Sequence, residues 1–133
     1  MSSSRTIIMY GIPNCDTVKK ARTWLEEHRL PFHFHNFKKD GLNAQVIEQW
    51  LSQSELDILI NRKGTTWRAL SDAQKAQADS TEGAIALMLE NPSVIKRPVL
   101  VIEQGQGSEQ EPALRVAVSF KPEQYQTLFS SAA

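Results

Sequence analysis

Apolar and β-branched residues crowd into Arg-Thr-Ile-Ile-Met-Tyr at Arg5–Tyr10 and predict a short buried strand. Gly11-Ile12-Pro13-Asn14 then reads as a turn. From Asp16 to His28 the period changes. Val18, Ala21 and Leu25 return at helical spacing, with Lys19, Lys20, Arg22, Glu26 and Glu27 mostly on the wet side, which predicts an amphipathic helix stopped by Pro31. Between Phe32 and Phe37 the period drops to two: Phe32 and Phe34 point one way and His33 and His35 the other, a second strand. Asp40-Gly41 is a turn, and Leu42–Leu51 a second helix with Asn43 as its N-cap. Leu56–Ile60 is short and apolar, and Asn61–Thr66 is a polar, basic loop. Leu70-Ser71-Asp72 opens another helical stretch. Ser80 or Thr81 caps a helix over Glu82–Glu90, with Ile85, Met88 and Leu89 on one face and Asn91-Pro92 at its end. Pro98–Ile102 reads as a third strand, Gln104–Pro112 as a hairpin loop and Leu114–Phe120 as a fourth strand. Pro122 occupies the first position of a last helix that turns Tyr125, Leu128 and Phe129 inward, and the closing Ser-Ser-Ala-Ala should fray.

The order is therefore β-α-β, a helical stretch, then β-β-α. It predicts one α/β domain with a mixed sheet covered by helices, the first two strands parallel and the last two an antiparallel hairpin. This suits a thioredoxin-like core over about residues 5–40 and 96–130, with a helical insertion over about 42–92, all within one domain of 133 residues.

Composition narrows the function classes. At 41 % hydrophobic and 23 % charged residues, a chain of this length can bury a core without disulfide or metal staples. Fifteen basic residues balance fifteen acidic ones, which argues against broad binding to a nucleic-acid backbone. No apolar run approaches the ~18–20 residues of a membrane span, and no signal peptide is visible. The expectation is a cytoplasmic monomer that binds neither membrane nor nucleic acid. Cys15 is the one cysteine. An intrachain disulfide is thus impossible, and a second thiol must come from another molecule.

Cys15 is also the most informative residue. It follows a strand and a turn and opens a helix, where free backbone N–H groups and the helix dipole favour thiolate over thiol. Lys19, Lys20 and Arg22 lie within two turns and add to the positive field. The competing reading is a small buried hydrophobe. Spacing disposes of some alternatives: a Cys-x-x-Cys pair would need a cysteine where Val18 stands, and a Cys-x5-Arg phosphate cradle an arginine where Ala21 stands. His28 lies thirteen residues up the same helix, ~20 Å away at 1.5 Å per residue, too far to act as its base. His33 and His35, on a strand, stay open as such a base; the favoured reading is half-exposed strand residues, and no third ligand points to a metal site. Arg62 and Lys63 precede Gly64 in the polar loop, and Arg97 precedes Pro98 at the start of a strand. An Arg-Pro bond at that point is where a thioredoxin-like fold places a cis-proline, and X-Pro is the bond at which cis is cheap. An arginine beside it can bind an oxyanion or carboxylate bidentately. Trp24 and Trp50 are assigned to the core; Trp67 suits a cleft wall or the core equally.

The run Tyr-Gly-Ile-Pro-Asn-Cys-Asp-Thr-Val-Lys-Lys-Ala from Tyr10 to Ala21 resembles the active-site start of ArsC-like proteins, and within them the YffB subgroup. Asn61–Arg68 resembles that subgroup's second motif, Ile95–Val99 its third, and Phe120–Phe129 its C-terminal helix entry. The resemblance implies a thioredoxin-like core with an inserted helical subdomain. It makes Cys15 the nucleophile, with Pro13 and a cis Pro98 shaping the site and Asn14, Arg97, Arg62 and Lys63 binding the anionic part of the substrate. It implies a monothiol reductase that holds no cofactor, uses glutathione as co-substrate and acts on a small thiol or disulfide, with glutaredoxin as a further partner. Arsenate reductases of the family hold their anion with several arginines. Asn61 stands where one of these falls, and near the fourth strand Lys121 is the nearby cation. The related Spx group binds RNA polymerase and often carries Cys-x-x-Cys. The resemblance therefore leaves two alternatives beside the reductase: an RNA polymerase-binding regulator and an arsenate reductase.

Overall fold

The computed structural model describes residues 5–104 and 113–130. Four strands form one sheet in the order β2-β1-β3-β4: β1 (Arg5–Gly11), β2 (His33–Asn36), β3 (Val99–Gln104) and β4 (Leu114–Val118). β1 runs parallel to β2, with Ile8 opposite His33 and Gly11 opposite Asn36. β3 runs antiparallel to both of its neighbours, Tyr10 facing Val99 on one side and Val118 facing Val99 on the other. Two helices belong to the sheet, α1 (Asp16–Glu27) after β1 and α8 (Pro122–Ser130) after β4. Between β2 and β3 lie α2 (Phe37–Asp40), α3 (Ala44–Leu51), α4 (Leu56–Leu59), α5 (Thr65–Arg68), α6 (Asp72–Ala76) and α7 (Thr81–Glu90), with 3-10 turns at Gln77–Asp79 and Pro92–Val94. This is the mixed α/β arrangement of a thioredoxin-like fold.

The chain divides into two compact units. The first joins Met1–Asn36 to Arg97–Ala133, and the second is Phe37–Lys96. In the first, alternate strand residues build one core face: Ile7 and Met9 of β1, Leu100 and Ile102 of β3 and Ala117 of β4. Val18, Ala21 and Leu25, the apolar stripe of α1, close on that face together with Tyr125 of α8. In the second unit Asn43 caps α3 by accepting from the Val46 N–H at 2.9 Å. Ser71 and Gln74 form a reciprocal capping box at α6, and Ser80 caps α7. Ile47 and Trp50 of α3 and Ala84, Leu87 and Met88 of α7 are buried there, and Ile60 bridges to Ile95.

Several boundaries differ from the sequence expectation for physical reasons. Phe37 was expected to end the second strand; it starts α2 and its carbonyl accepts from the Gly41 N–H, Gly41 closing the turn at φ +79°. Thr65 and Thr66 were expected in a loop. They form the single turn α5, because Gly64 turns back on the Asn61 carbonyl and starts a helix. β3 begins at Val99 and not at Pro98, which has no N–H to give to a ladder. It continues to Gln104. β4 ends at Val118 and not at Phe120, because Ser119 takes φ +67° and breaks the alternation. Trp24 was expected in the core. It is half-buried, its ring stacked 3.7 Å from His28. Trp50 and Trp67 are both buried. Most of the expected hairpin loop at 104–112, and the last three residues of the expected frayed end, lie outside the described residues.

Candidate functional site

Every turn of the chain around Cys15 follows from the strand–helix junction. β1 ends at Gly11, half-buried Ile12 and exposed Pro13 and Asn14 carry the turn, and Cys15 is the N-cap of α1. Its extended backbone, φ −113° and ψ 126°, is the conformation an N-cap needs. Its carbonyl accepts the first helical hydrogen bond, from the Lys19 N–H at 2.9 Å. The N–H groups of the first turn, including those of Thr17 and Val18, therefore have no intrahelical partner, and the Cys15 side chain makes no capping bond in this structure. The thiol is free and half-buried, its inner side packed on the core of the first unit. It combines a partly desolvated sulfur, an outlet to solvent and backbone donors next to where negative charge would reside.

Gly11 fixes how closely the two elements meet. A Cβ there would lie 2.9 Å from Cγ2 of the buried Val18 and 3.7 Å from Cε1 of Phe34. The missing side chain lets α1 settle against the end of β1, and that contact sets where Cys15 stands.

β3 supplies the second part. The Arg97–Pro98 peptide bond is cis. Pro98 is buried and its carbonyl accepts from the Ser119 N–H at 2.8 Å, which continues the β3–β4 ladder one step beyond the strands. On the other side, Tyr10 pairs with Val99, so one further step of the same register sets Pro98 opposite Gly11. Cys15, Pro13, Asn14, Arg97 and Pro98 thus belong to one unit and to one end of its sheet. Arg97 is half-buried.

Arg62 and Lys63 belong to the second unit. There Arg62 pairs with Asp57 at 3.0 Å and lies over the Trp67 ring, 4.9 Å from its centroid. Lys63 is exposed in the turn between Asn61 and Gly64. Two residues of the first unit escaped the sequence reading, Ser119 at the site end and Arg115 opposite Ile102, towards the other end of the sheet. Ser119 carries a left-handed backbone that no residue type announces. Arg115 is visible as a cation on a predicted strand, but its partner is not: it donates to the Leu128 carbonyl at 2.8 Å and so ties β4 to the last turn of α8.

The match with known proteins runs through all of these elements. The ArsC family model covers residues 10–128, from the last residues of β1 to α8. A solved YffB protein is 42 % identical, covering 94 % of this chain and all of its own, with a TM-score of 0.77. An uncharacterised protein of Haemophilus influenzae is 36 % identical over 93 % of this chain and 99 % of its own. The global transcriptional regulator Spx of Bacillus subtilis is 28 % identical over 74 % of this chain and 75 % of its own. With the sheet order, the lone cysteine at the start of α1 and the Arg-Pro step before β3 in place, the chain belongs to the ArsC family.

Proposed function

We propose that this protein is a monothiol reductase that works through Cys15 and draws its electrons from glutathione. The observation that carries the reading is the position of the chain's one thiol: half-buried, free and at the N-cap of α1 beside unpaired N–H groups. In the first step the Cys15 thiolate attacks one sulfur of a disulfide R–S–S–R′. A Cys15–S–S–R bond forms, the old S–S bond breaks, and R′–S⁻ leaves with the electron pair. In the second step an external thiolate, from glutathione or a glutaredoxin, attacks the sulfur joined to Cys15, which leaves again as thiolate. No second cysteine exists in the chain to resolve the adduct internally. Arg97 next to Pro98 is the cation for a substrate carboxylate. Arg62 already has Asp57 as a partner, and Arg115 stands opposite Ile102, away from the Pro98 end of the sheet, which favours a thiol substrate over an arsenate cradle of several arginines.

The test is turnover of a small disulfide, bis(2-hydroxyethyl) disulfide, coupled to glutathione oxidation. The rate should rise with glutathione concentration and vanish in Cys15→Ser. A rate indifferent to glutathione overturns the mechanism. The Spx relatives favour a second reading, docking on RNA polymerase. Under it, polymerase subunits co-purify with the protein and continue to do so after Cys15→Ser, and no turnover is seen.

A further inference from the structure

We propose that the groove between α1 and the β4–α8 connection recognises the polypeptide that carries the oxidised sulfur, a segment with an aromatic or large apolar side chain beside its cysteine and acidic residues around it. This rests on Cys15 being the nucleophile, and it names the class of substrate that Cys15 meets.

The groove holds about 410 Å³, and all of it lies within the first unit. That is the lower part of the range for ligand clefts, about 300–1,000 Å³. Half-buried Trp24 and Phe120, with Pro122, give it an apolar floor; Lys19 and Lys20 stand on its rim and Glu27 at its far end. It begins one helical turn from the nucleophile, since Lys19 is the residue whose N–H bonds to the Cys15 carbonyl. Both lysines are exposed, and neither has an ion-pair partner among the described residues.

The charge order along α1 points the same way. A helix dipole favours acidic residues in the first turn and basic ones in the last. After Asp16, α1 does the reverse, with Lys19, Lys20 and Arg22 towards its start, Glu26 and Glu27 at its end and no basic residue in its last turn. This order opposes helix stability and concentrates positive potential at the Cys15 end, where it steers anions. Lys121, between Phe120 and Pro122 in the chain, lies outside the lining, as do Asp16 and Glu123 in the first turns of α1 and α8, so Lys19 and Lys20 are the cations of the groove. Glutathione supplies carboxylates but has no apolar side chain to cover Trp24 and Phe120. A polypeptide segment supplies both. In the exchange itself the Cys15 thiolate bonds to the peptide's sulfur and the group previously joined to that sulfur departs as thiolate, so electrons balance without a further reactant.

Three peptides activated as mixed disulfides with thionitrobenzoate test this, because release of the coloured thiolate reports each attack. The first is Ac-Glu-Phe-Cys-Glu-amide, the second replaces Glu by Lys, and the third replaces Phe by Ala. Rate constants are divided by that of iodoacetamide, a neutral reagent, measured on the same protein variant. The acidic aromatic peptide should react at least tenfold faster than the basic one and at least fivefold faster than the alanine one at low salt. In the double variant Lys19→Gln, Lys20→Gln, both exposed positions, the acidic-over-basic preference should fall below threefold while the Phe-over-Ala preference persists. Equal rates for the Phe and Ala peptides overturn the groove and leave Cys15 chemistry standing. A Cys15 that is slow towards iodoacetamide and all three peptides overturns the reductase reading and this one together.

Discussion

Tyr125 shows how much of the first unit's behaviour hangs on one side chain. It is fully buried on the core face, with Phe120 edge-on at 4.7 Å, Trp24 edge-on at 5.5 Å and Phe129 beyond. This is favourable aromatic geometry, but its hydroxyl has no hydrogen-bond partner among the described residues. Burial pushes the Tyr125 phenol well above the ordinary tyrosine value. The sign of the pH effect follows. Above about pH 10 the unfolded chain gives up a proton that the native state retains, so stability falls as pH rises through that range. Tyr10 acts in the same direction, raised by burial first and then by the Glu103 carboxylate. In urea unfolding, Tyr125→Phe should gain about 1 kcal/mol at pH 7, because an unsatisfied buried hydroxyl is removed. It should also lose less stability than the parent between about pH 9 and 11, with Tyr10 responsible for the remaining slope. Parallel pH curves for the two proteins would mean that the Tyr125 phenol ionises in the native state, contrary to its burial.

The elements that carry the site were largely legible because each obeys a local rule. The stripe Val18, Ala21, Leu25 has no reading other than a helix packed on one face, and all three are fully buried. The strand–turn–helix around Cys15 was visible for the same reason. What was not legible depends on backbone states or tertiary partners. Ser119 carries no mark of its φ of +67°, so Phe120 was assigned to a strand when it floors the groove. Trp24 sits on α1 at a position as apolar as its neighbours, but its exposure depends on what α8 and His28 leave open. Gly11 looked like ordinary turn punctuation, and its role is steric. Gly11→Ala brings a Cβ to 2.9 Å from Val18, a stiff β-branched residue with no room to yield. The expected cost is about 1–3 kcal/mol, with a changed alkylation rate at Cys15 as α1 shifts. Gly41→Ala is the contrasting variant. No atom lies within 4 Å of a Cβ there, yet φ is +79°. It should cost about 1 kcal/mol through the backbone alone and leave Cys15 alkylation as it was. Equal effects of the two variants on Cys15 would remove Gly11 from the positioning of the site.

At the scale of the whole molecule, the site belongs to the unit whose pieces lie furthest apart in sequence. The second unit is one continuous segment, Phe37–Lys96, and its helices are capped by their own neighbours, as at Asn43, Ser71 and Ser80. The first unit has no such locality. Its central pair joins β1 to β3, with Tyr10 opposite Val99, so the segment that separates them must be accommodated before the sheet closes. Without β3, β1 keeps only the short parallel strand β2, and a two-stranded ribbon is marginal at best. α1 would then lose Leu100, Ile102, Ala117 and Tyr125 from the face on which Val18, Ala21 and Leu25 pack. A twelve-residue helix is itself marginal in water without that packing. The geometry around Cys15 is therefore a product of long-range pairing, although the motif that announces it is local. A chain ending at Lys96 should separate the two. Hydrogen exchange should find slow amides in α3 and α7, while residues 5–36 exchange freely. Cys15 in that fragment should react with iodoacetamide at neutral pH at the rate of the urea-denatured full-length chain. If the fragment instead keeps the full-length reactivity, the strand–turn–helix alone suffices to activate the thiol, and β3 with its Arg97–Pro98 step serves substrate binding only.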